Sequence, residues 1–225
     1  MALAATKYIA RKAREFTRRE LNMTQYSDAD AEPLIPHIIH QQWSSYQIPA
    51  AAVPYVKSVV DLHPDWQYWF WTDDDRECYM RSRHPELLDL FDNNYTDPSY
   101  RTSLVQYLLL YDYGGVYLDL DVQALKPLDV WTHIASSVLS HEPYEQTFFA
   151  HLRRRPNVIS AVMATRPEHP FFKLLQENLL KYHQTCPSLN LNANRVFHVD
   201  NIYQLYLRSR PNVKQSDDVM VIHPR

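Results

Sequence analysis

The sequence predicts an α/β fold, with a mainly parallel central sheet flanked by helices. Three observations predict it. Short β-branched or aromatic runs alternate with segments of helical apolar spacing along most of the chain. Residues 104–111 are apolar almost all round, which marks a buried helix rather than an amphipathic surface one. That segment runs into Gly114 and Gly115, the only 2 glycines in the chain, and then into the alternating stretch VYLDLDV. Paired glycines end a helix, because glycine takes left-handed backbone angles without penalty. A strand entered directly from a core helix is expected to be central in its sheet.

The elements follow in order. LIPHIIH (34–40) is a short buried strand, and Gln41, Gln42 and Trp43 stand at its end, where open α/β sheets bind ligands. Residues 53–63 have helical spacing, with Pro54 near the first turn. WQYWFW (66–71) reads as an aromatic strand. Thr72 and Asp75 are a capping pair for a helix through about Arg83. Pro85 opens a further short helix. Pro98 and Ser99 start the central helix that ends at the glycines. Beyond Pro127, short strands are expected at 137–140 and 148–151, and a firmer one at 157–165. A helix is expected over 170–182, a last helix capped by Asp200 or Asn201 through Arg208, and a final strand at 219–222.

Composition narrows the function. A length of 225 residues favours one or two domains. Residues 1–31 read as a basic, then polar, N-terminal extension, and 32–225 as a single domain. A net charge of -3 makes no case for nucleic acid as a partner. With 2 glycines, glycine-rich phosphate loops are excluded. With 2 cysteines, Cys78 and Cys186, a four-cysteine zinc site is excluded, and one disulfide stays open. No apolar run of about 18 residues or more suggests a membrane span, and no secretory signal pattern is present. Two N-x-T sequons, at Asn22 and Asn94, would matter only in a secretory compartment.

The chemistry concentrates in VYLDLDV. Val116, Leu118, Leu120 and Val122 would share one strand face, and Tyr117, Asp119 and Asp121 the other. Two carboxylates on one face repel unless a cation lies between them. A hard divalent ion with oxygen ligands resolves that repulsion and can also hold substrate phosphates. The competing reading is a half-exposed strand with solvated acids. A metal phosphohydrolase would need further ligands, and the 11 histidines show no paired helical spacing.

Four stretches together resemble one family. IPHIIHQQW (35–43), DLHPDWQYWFWTDDD (61–75), LLLYDYGGVYLDLDVQALKPLD (108–129) and NVISAVMATRPEHPFFKLL (157–175) are similar in order and spacing to the DxD-containing glycosyltransferases of family 32. The resemblance implies a GT-A fold. It implies transfer of a hexose, with retention, from a nucleotide-sugar donor (GDP-mannose or a UDP-hexose) to a glycan or glycolipid acceptor. It also implies Mn²⁺ or Mg²⁺ as cofactor and a Golgi or secretory-lumen setting. Asp119 and Asp121 would hold the metal and, through it, the donor diphosphate. Trp43 would stack the nucleotide base, and aromatic core is the alternative for that residue. Gly114, Gly115 and Tyr117 would shape the pocket floor. Where the family carries R-x-D-x-x-R, this chain has Arg101, Ser103 and Gln106, so two of three donor-contacting positions lack charge. The family's T-G-P before its last helices is absent, and the catalytic domain is expected to be short at its C-terminus. Two readings stay open: an active transferase, or a member that binds donor or a partner protein without turnover.

Overall fold

The computed structural model describes residues 33–93, 98–143, 157–185, 199–209 and 215–222. These build a 6-stranded sheet. The strands are β1 (Ile38–Gln42), β2 (Gln67–Trp71), β3 (Gly115–Leu118), β4 (Ser137–His141), β5 (Val158–Thr165) and β6 (Met220–Ile222), in spatial order β2-β1-β3-β5-β4-β6. β1 pairs parallel to both β2 and β3, and β4 parallel to β6; β5 alone runs against its neighbours. The sheet is therefore mainly parallel, and β3 is central, as the sequence predicts. The helices are α1 (Val53–Leu62), α2 (Asp73–Arg83), α3 (Leu88–Asn93), α4 (Pro98–Tyr113), α5 (Asp129–Ile134), α6 (Pro170–Thr185) and α7 (Val199–Arg208).

Strand alternation splits the core into two layers. Tyr117, Leu139 and Met163 point to the side packed by α4, α6 and α7, against Leu108, Phe171, Leu175 and Ile202. Val116, Val138 and Ala164 point to the other side, with Val56 and Val59 of α1 and with Tyr68 and Phe70. Every residue of β3 is buried, as a strand covered on both faces requires. From Leu104 to Leu110 no residue of α4 is more than 2 % exposed, so this helix lies inside the molecule.

Several boundaries differ from the sequence expectation. β1 starts at Ile38, because Pro36 offers no N–H and its carbonyl accepts from Ile38 N at 2.8 Å in a turn. β3 stops at Leu118, so Asp119 and Asp121 lie in a turn after the strand rather than within it; Val122 N closes that turn on Asp119 O at 3.1 Å. α7 opens at Val199, which puts Asp200 inside its first turn. The Asp200 carboxylate accepts from Val158 N at 3.2 Å and ties α7 to β5. The expected capping box at Thr72 and Asp75 is present in both directions. The strand expected at 148–151 and the second cysteine, Cys186, lie outside the described residues, and Cys78 is an exposed free thiol.

The α4–β3 junction leaves no room for side chains. Gly114 and Gly115 have φ of 65° and 94°. A Cβ on Gly115 would stand 2.5 Å from the Ile38 carbonyl oxygen. In the space left, His40 Nε2 donates to Gly114 O at 2.8 Å, while its Nδ1 accepts from the Trp71 indole at 3.2 Å. These bonds require the neutral ring. Burial pulls the pKa of His40 down to about 4, and the Gly114 bond only partly opposes this. His169 is also held at about 4, by burial and then by Arg166.

Two outcomes are expected. Gly115→Ala strains both φ and packing, and should lower the urea-unfolding free energy by about 3 kcal/mol. A loss under about 1 kcal/mol would contradict the packing argument. Each of the two histidines has a folded pKa below the ordinary value of about 6.5. The unfolded chain therefore binds more protons, and stability that is complete above that value is lost as pH falls towards 4. Comparing urea midpoints at pH 7 and pH 5 should show a loss of about 2 kcal/mol from His40 alone. Equal midpoints would refute it.

Candidate active site

The C-terminal ends of β1, β2 and β3 open on one side into a cleft of about 580 Å³. This edge of a parallel sheet is where the chain leaves each strand and where ligands bind in such folds. Its lining is part apolar, from Pro49, Ala52, Tyr55 and Leu120, and part polar.

The turn after β3 brings its carboxylates to that polar part. Asp119 N donates to Ala161 O at 2.9 Å, and Asp119 O accepts from Gln41 Nε2 at 3.2 Å. Gln41 is itself fixed, since its Oε1 accepts from the buried Tyr68 hydroxyl at 2.8 Å. The Asp119 backbone is thus clamped from β5 and from β1. Its side chain accepts from Tyr117 OH at 3.1 Å. Burial pushes the Asp119 carboxyl up to about 6; the Tyr117 bond opposes this, and the nearby Asp121 charge adds to it. Asp121 stands exposed at the cleft.

This pair fits a hard divalent cation. One carboxylate is strained as an anion by burial and by its neighbour, and all the available atoms are oxygens. No further acid, histidine or cysteine gathers with it among the described residues, so a bound ion would keep positions open for substrate oxygens.

A polar network leads away from the carboxylates. Gln42 Nε2 donates to Tyr117 OH at 3.0 Å and to Thr102 O at 3.1 Å. Arg76 Nη1 donates to Thr102 Oγ1 at 2.8 Å and to Gln42 Oε1 at 3.4 Å. Trp43 follows directly on β1, its N–H bonded to Trp71 O at 3.0 Å, and its side chain is on the cleft surface. At 40 % exposure it is not core, and an aromatic face is open to a ligand.

The structure divides the residues singled out from sequence. Trp43, Tyr117, Asp119 and Asp121 line the cleft together. Gly114 and Gly115 lie behind it, at the tight crossing of α4 and β1. Arg101, Ser103 and Gln106 do not line it. Arg101 donates to Asp92 O at 3.0 Å and lies over the Phe91 ring. Ser103 hydrogen-bonds Tyr107 on its own helix. Gln106 is 2 % exposed and donates to Ser160 O at 2.6 Å, joining α4 to β5. Sequence reasoning missed Arg76 and Thr102. A signal existed for Arg76: it lies in the first turn of a capped helix that begins where β2 ends. Thr102 is one residue from Ser103, a rotation of about 100° around a helix.

Residues 49–142 match a family model described as the glycosyltransferase sugar-binding region containing the DXD motif. Inositol phosphoceramide mannosyltransferase 2 of Schizosaccharomyces pombe is 30 % identical over 85 % of this chain and 53 % of that protein. Inositol phosphoceramide mannosyltransferase 3 of the same yeast is 34 % identical over 70 % of this chain and 40 % of its own length. Mannosyl phosphorylinositol ceramide synthase CSH1 of Saccharomyces cerevisiae is 32 % identical over 66 % of this chain and 36 % of its own. The chain thus spans about half the length, or less, of these curated relatives. Among solved structures, PaToxG glycosyltransferase superposes with a TM-score of 0.58 at 12 % identity, covering 95 % of this chain and 80 % of that one, a likeness of fold in the GT-A manner. With its DXD turn at the sheet edge, the matched region and these relatives, the chain belongs to the DXD-containing glycosyltransferases of family 32.

Proposed function

We propose that this chain is the sugar-transferring domain of a metal-dependent hexosyltransferase. The donor is a nucleotide sugar, and the acceptor is a glycolipid headgroup. The observation that carries the reading is the placement of Asp119 and Asp121 on the same cleft as the exposed face of Trp43. The names of the relatives favour mannose as the sugar, hence GDP-mannose over a UDP-hexose, and an inositol phosphoceramide type of acceptor. Retention at the sugar carbon and a Golgi or secretory-lumen setting complete the proposal on family resemblance. No helix among the described residues is long and apolar enough to cross a membrane.

The residues divide the work. Asp119 and Asp121 would hold Mn²⁺ or Mg²⁺, which when bound neutralises charge on the departing nucleoside diphosphate. Tyr117 keeps its hydroxyl on Asp119 Oδ1 and so orients that carboxylate. Trp43 offers a stacking face for the base, and the apolar lining of Pro49, Ala52 and Tyr55 excludes water. Gln41 fixes the height of the DXD turn through the Asp119 carbonyl.

A second reading, donor binding without turnover, rests on Ser103 and Gln106, which bring no charge and have their bonds elsewhere. Transfer and donor-hydrolysis assays with GDP-mannose and UDP-hexoses separate the two readings. Product in Mn²⁺ supports the first. Binding with neither product nor hydrolysis supports the second.

Asp119→Asn should reduce Mn²⁺-dependent binding of GDP or UDP by about tenfold or more, since it removes a charge from the ion's ligands. The same variant should melt at or above the wild-type temperature at pH 7, because it relieves a buried anion. Undiminished binding would remove the DXD pair from the reading. The pH dependence has a definite sign. Asp119 holds its proton up to about pH 6, so a cation must compete with that proton below this value. Calorimetric Mn²⁺ affinity should therefore rise from pH 5 to pH 7 and level off above; an affinity independent of pH would contradict the assignment.

A further inference from the structure

Among the described residues that line the cleft, Arg76 is the single cationic side chain; the acids there are Asp73, Asp119 and Asp121. Arg76 projects from the first turn of α2, and its side chain is 11 % exposed. Two acceptors on other elements aim it: Thr102 Oγ1 on α4 and Gln42 Oε1 on β1. Nη2 pairs with Asp73, whose side chain is 57 % exposed. Nε is buried and has no hydrogen-bond partner among the described residues.

This arrangement is unusual for a purely structural arginine. A guanidinium carries five N–H donors and no acceptor, and its Nε–Nη2 edge matches a phosphate in a two-pronged fashion. Here that edge is incompletely used. One prong has no partner, and the other is held by an exposed carboxylate, a pairing that water largely screens. An anion in the cleft can take over from Asp73 at little cost. The acids at the DXD turn repel such an anion unless a cation covers them, and Arg76 attracts it without one. The positions expected from sequence to supply charge do not compete for this role, since Gln106 uses its amide on the Ser160 carbonyl.

On the reading that the cleft takes a nucleotide sugar, we infer that Arg76 grips the donor's diphosphate. Thr102 and Gln42 act as positioning residues that hold the guanidinium towards it. The phosphate-binding cation has moved from the central helix to the first turn of the helix after β2. This assigns to α2 a part in donor selection, by charge, that its sequence alone does not advertise.

The test measures GDP and UDP affinity by calorimetry for the full chain in Mn²⁺, at about 50 and about 500 mM NaCl. Wild type, Arg76→Gln and Arg76→Lys are compared, with thermal unfolding of each. Arg76→Gln should bind the preferred diphosphate about ten- to a hundredfold more weakly, the range for loss of a charge-assisted bond. It should also flatten the fall in affinity with salt. Arg76→Lys should recover part of the loss, since it keeps the charge and lacks the fork. Wild-type affinity in Arg76→Gln overturns the inference and leaves the functional reading intact. So does a weakened Arg76→Gln that keeps the wild-type salt dependence and is not improved by lysine, because that marks a scaffold role. Absence of diphosphate binding by the wild type overturns the functional reading and this inference with it. Should Arg76→Gln fail to fold, Thr102→Val keeps the guanidinium and removes an acceptor. It should weaken diphosphate binding by about threefold to tenfold at an unchanged melting temperature, and unaltered binding in it overturns the inference.

Discussion

No side chain fits between β1 and the first residue of β3, and the candidate site depends on that. Gly115 meets the Ile38 carbonyl at a distance no Cβ tolerates, and Gly114 meets Pro167 and Thr165 from the other side. The close crossing lets His40 of β1 reach the Gly114 carbonyl and lock the end of helix α4 to that strand. With the start of β3 fixed, its four residues have one register between β1 and β5. The turn that follows must then emerge at the sheet edge beside Gln41, Gln42 and Trp43. The two glycines therefore act at a distance: they touch nothing in the cleft, yet they set where its carboxylates stand.

The site is built on unequal acids. Asp119 is pinned through both backbone groups and one carboxylate oxygen, and it is sheltered from water. Asp121, two residues on, is exposed. Shelter makes the first a poor anion and a good partner for a cation. Exposure lets the second follow an incoming ion without breaking any packing. The same cleft is lined by one positive charge, Arg76, and by the aromatic side chain of Trp43.

Much of this was legible in the sequence, and the failures have physical causes. The central helix, the glycine stop and the capping box at Thr72 rest on local rules, and all three stand where those rules put them. Alternation carries the expected β3 four residues too far, to Val122, because it continues through the turn: Leu120 is buried and Val122 partly buried on the core side without a ladder. Pairing, not pattern, ends a strand. The helix positions Ser103 and Gln106 follow from their spacing to the glycines. Spacing gives a place along a helix, but the face that meets a cleft depends on how the helix is rolled against the sheet. That roll turns Thr102 to the cleft and Gln106 to β5. Arg76 is invisible to such spacing because its neighbours in space, Gln42 and Thr102, lie 34 and 26 residues away.

The hydrogen bonds of the polar lining all run one way. Arg76 donates to the Gln42 carbonyl oxygen, the Gln42 amide donates to the Tyr117 hydroxyl, and that hydroxyl donates to Asp119. A one-way chain has a polarity, like a row of aligned dipoles with its positive end at the guanidinium and its negative end at the carboxylate. The two ends are therefore not independent. Charge drawn off the carboxylate weakens the pull on every donor behind it and frees the guanidinium for a partner of its own. A cation at one end would then favour an anion at the other, and linkage would make that coupling mutual. The amide of Gln42, with one acceptor and two donors all in use, is the member that gives the chain its direction.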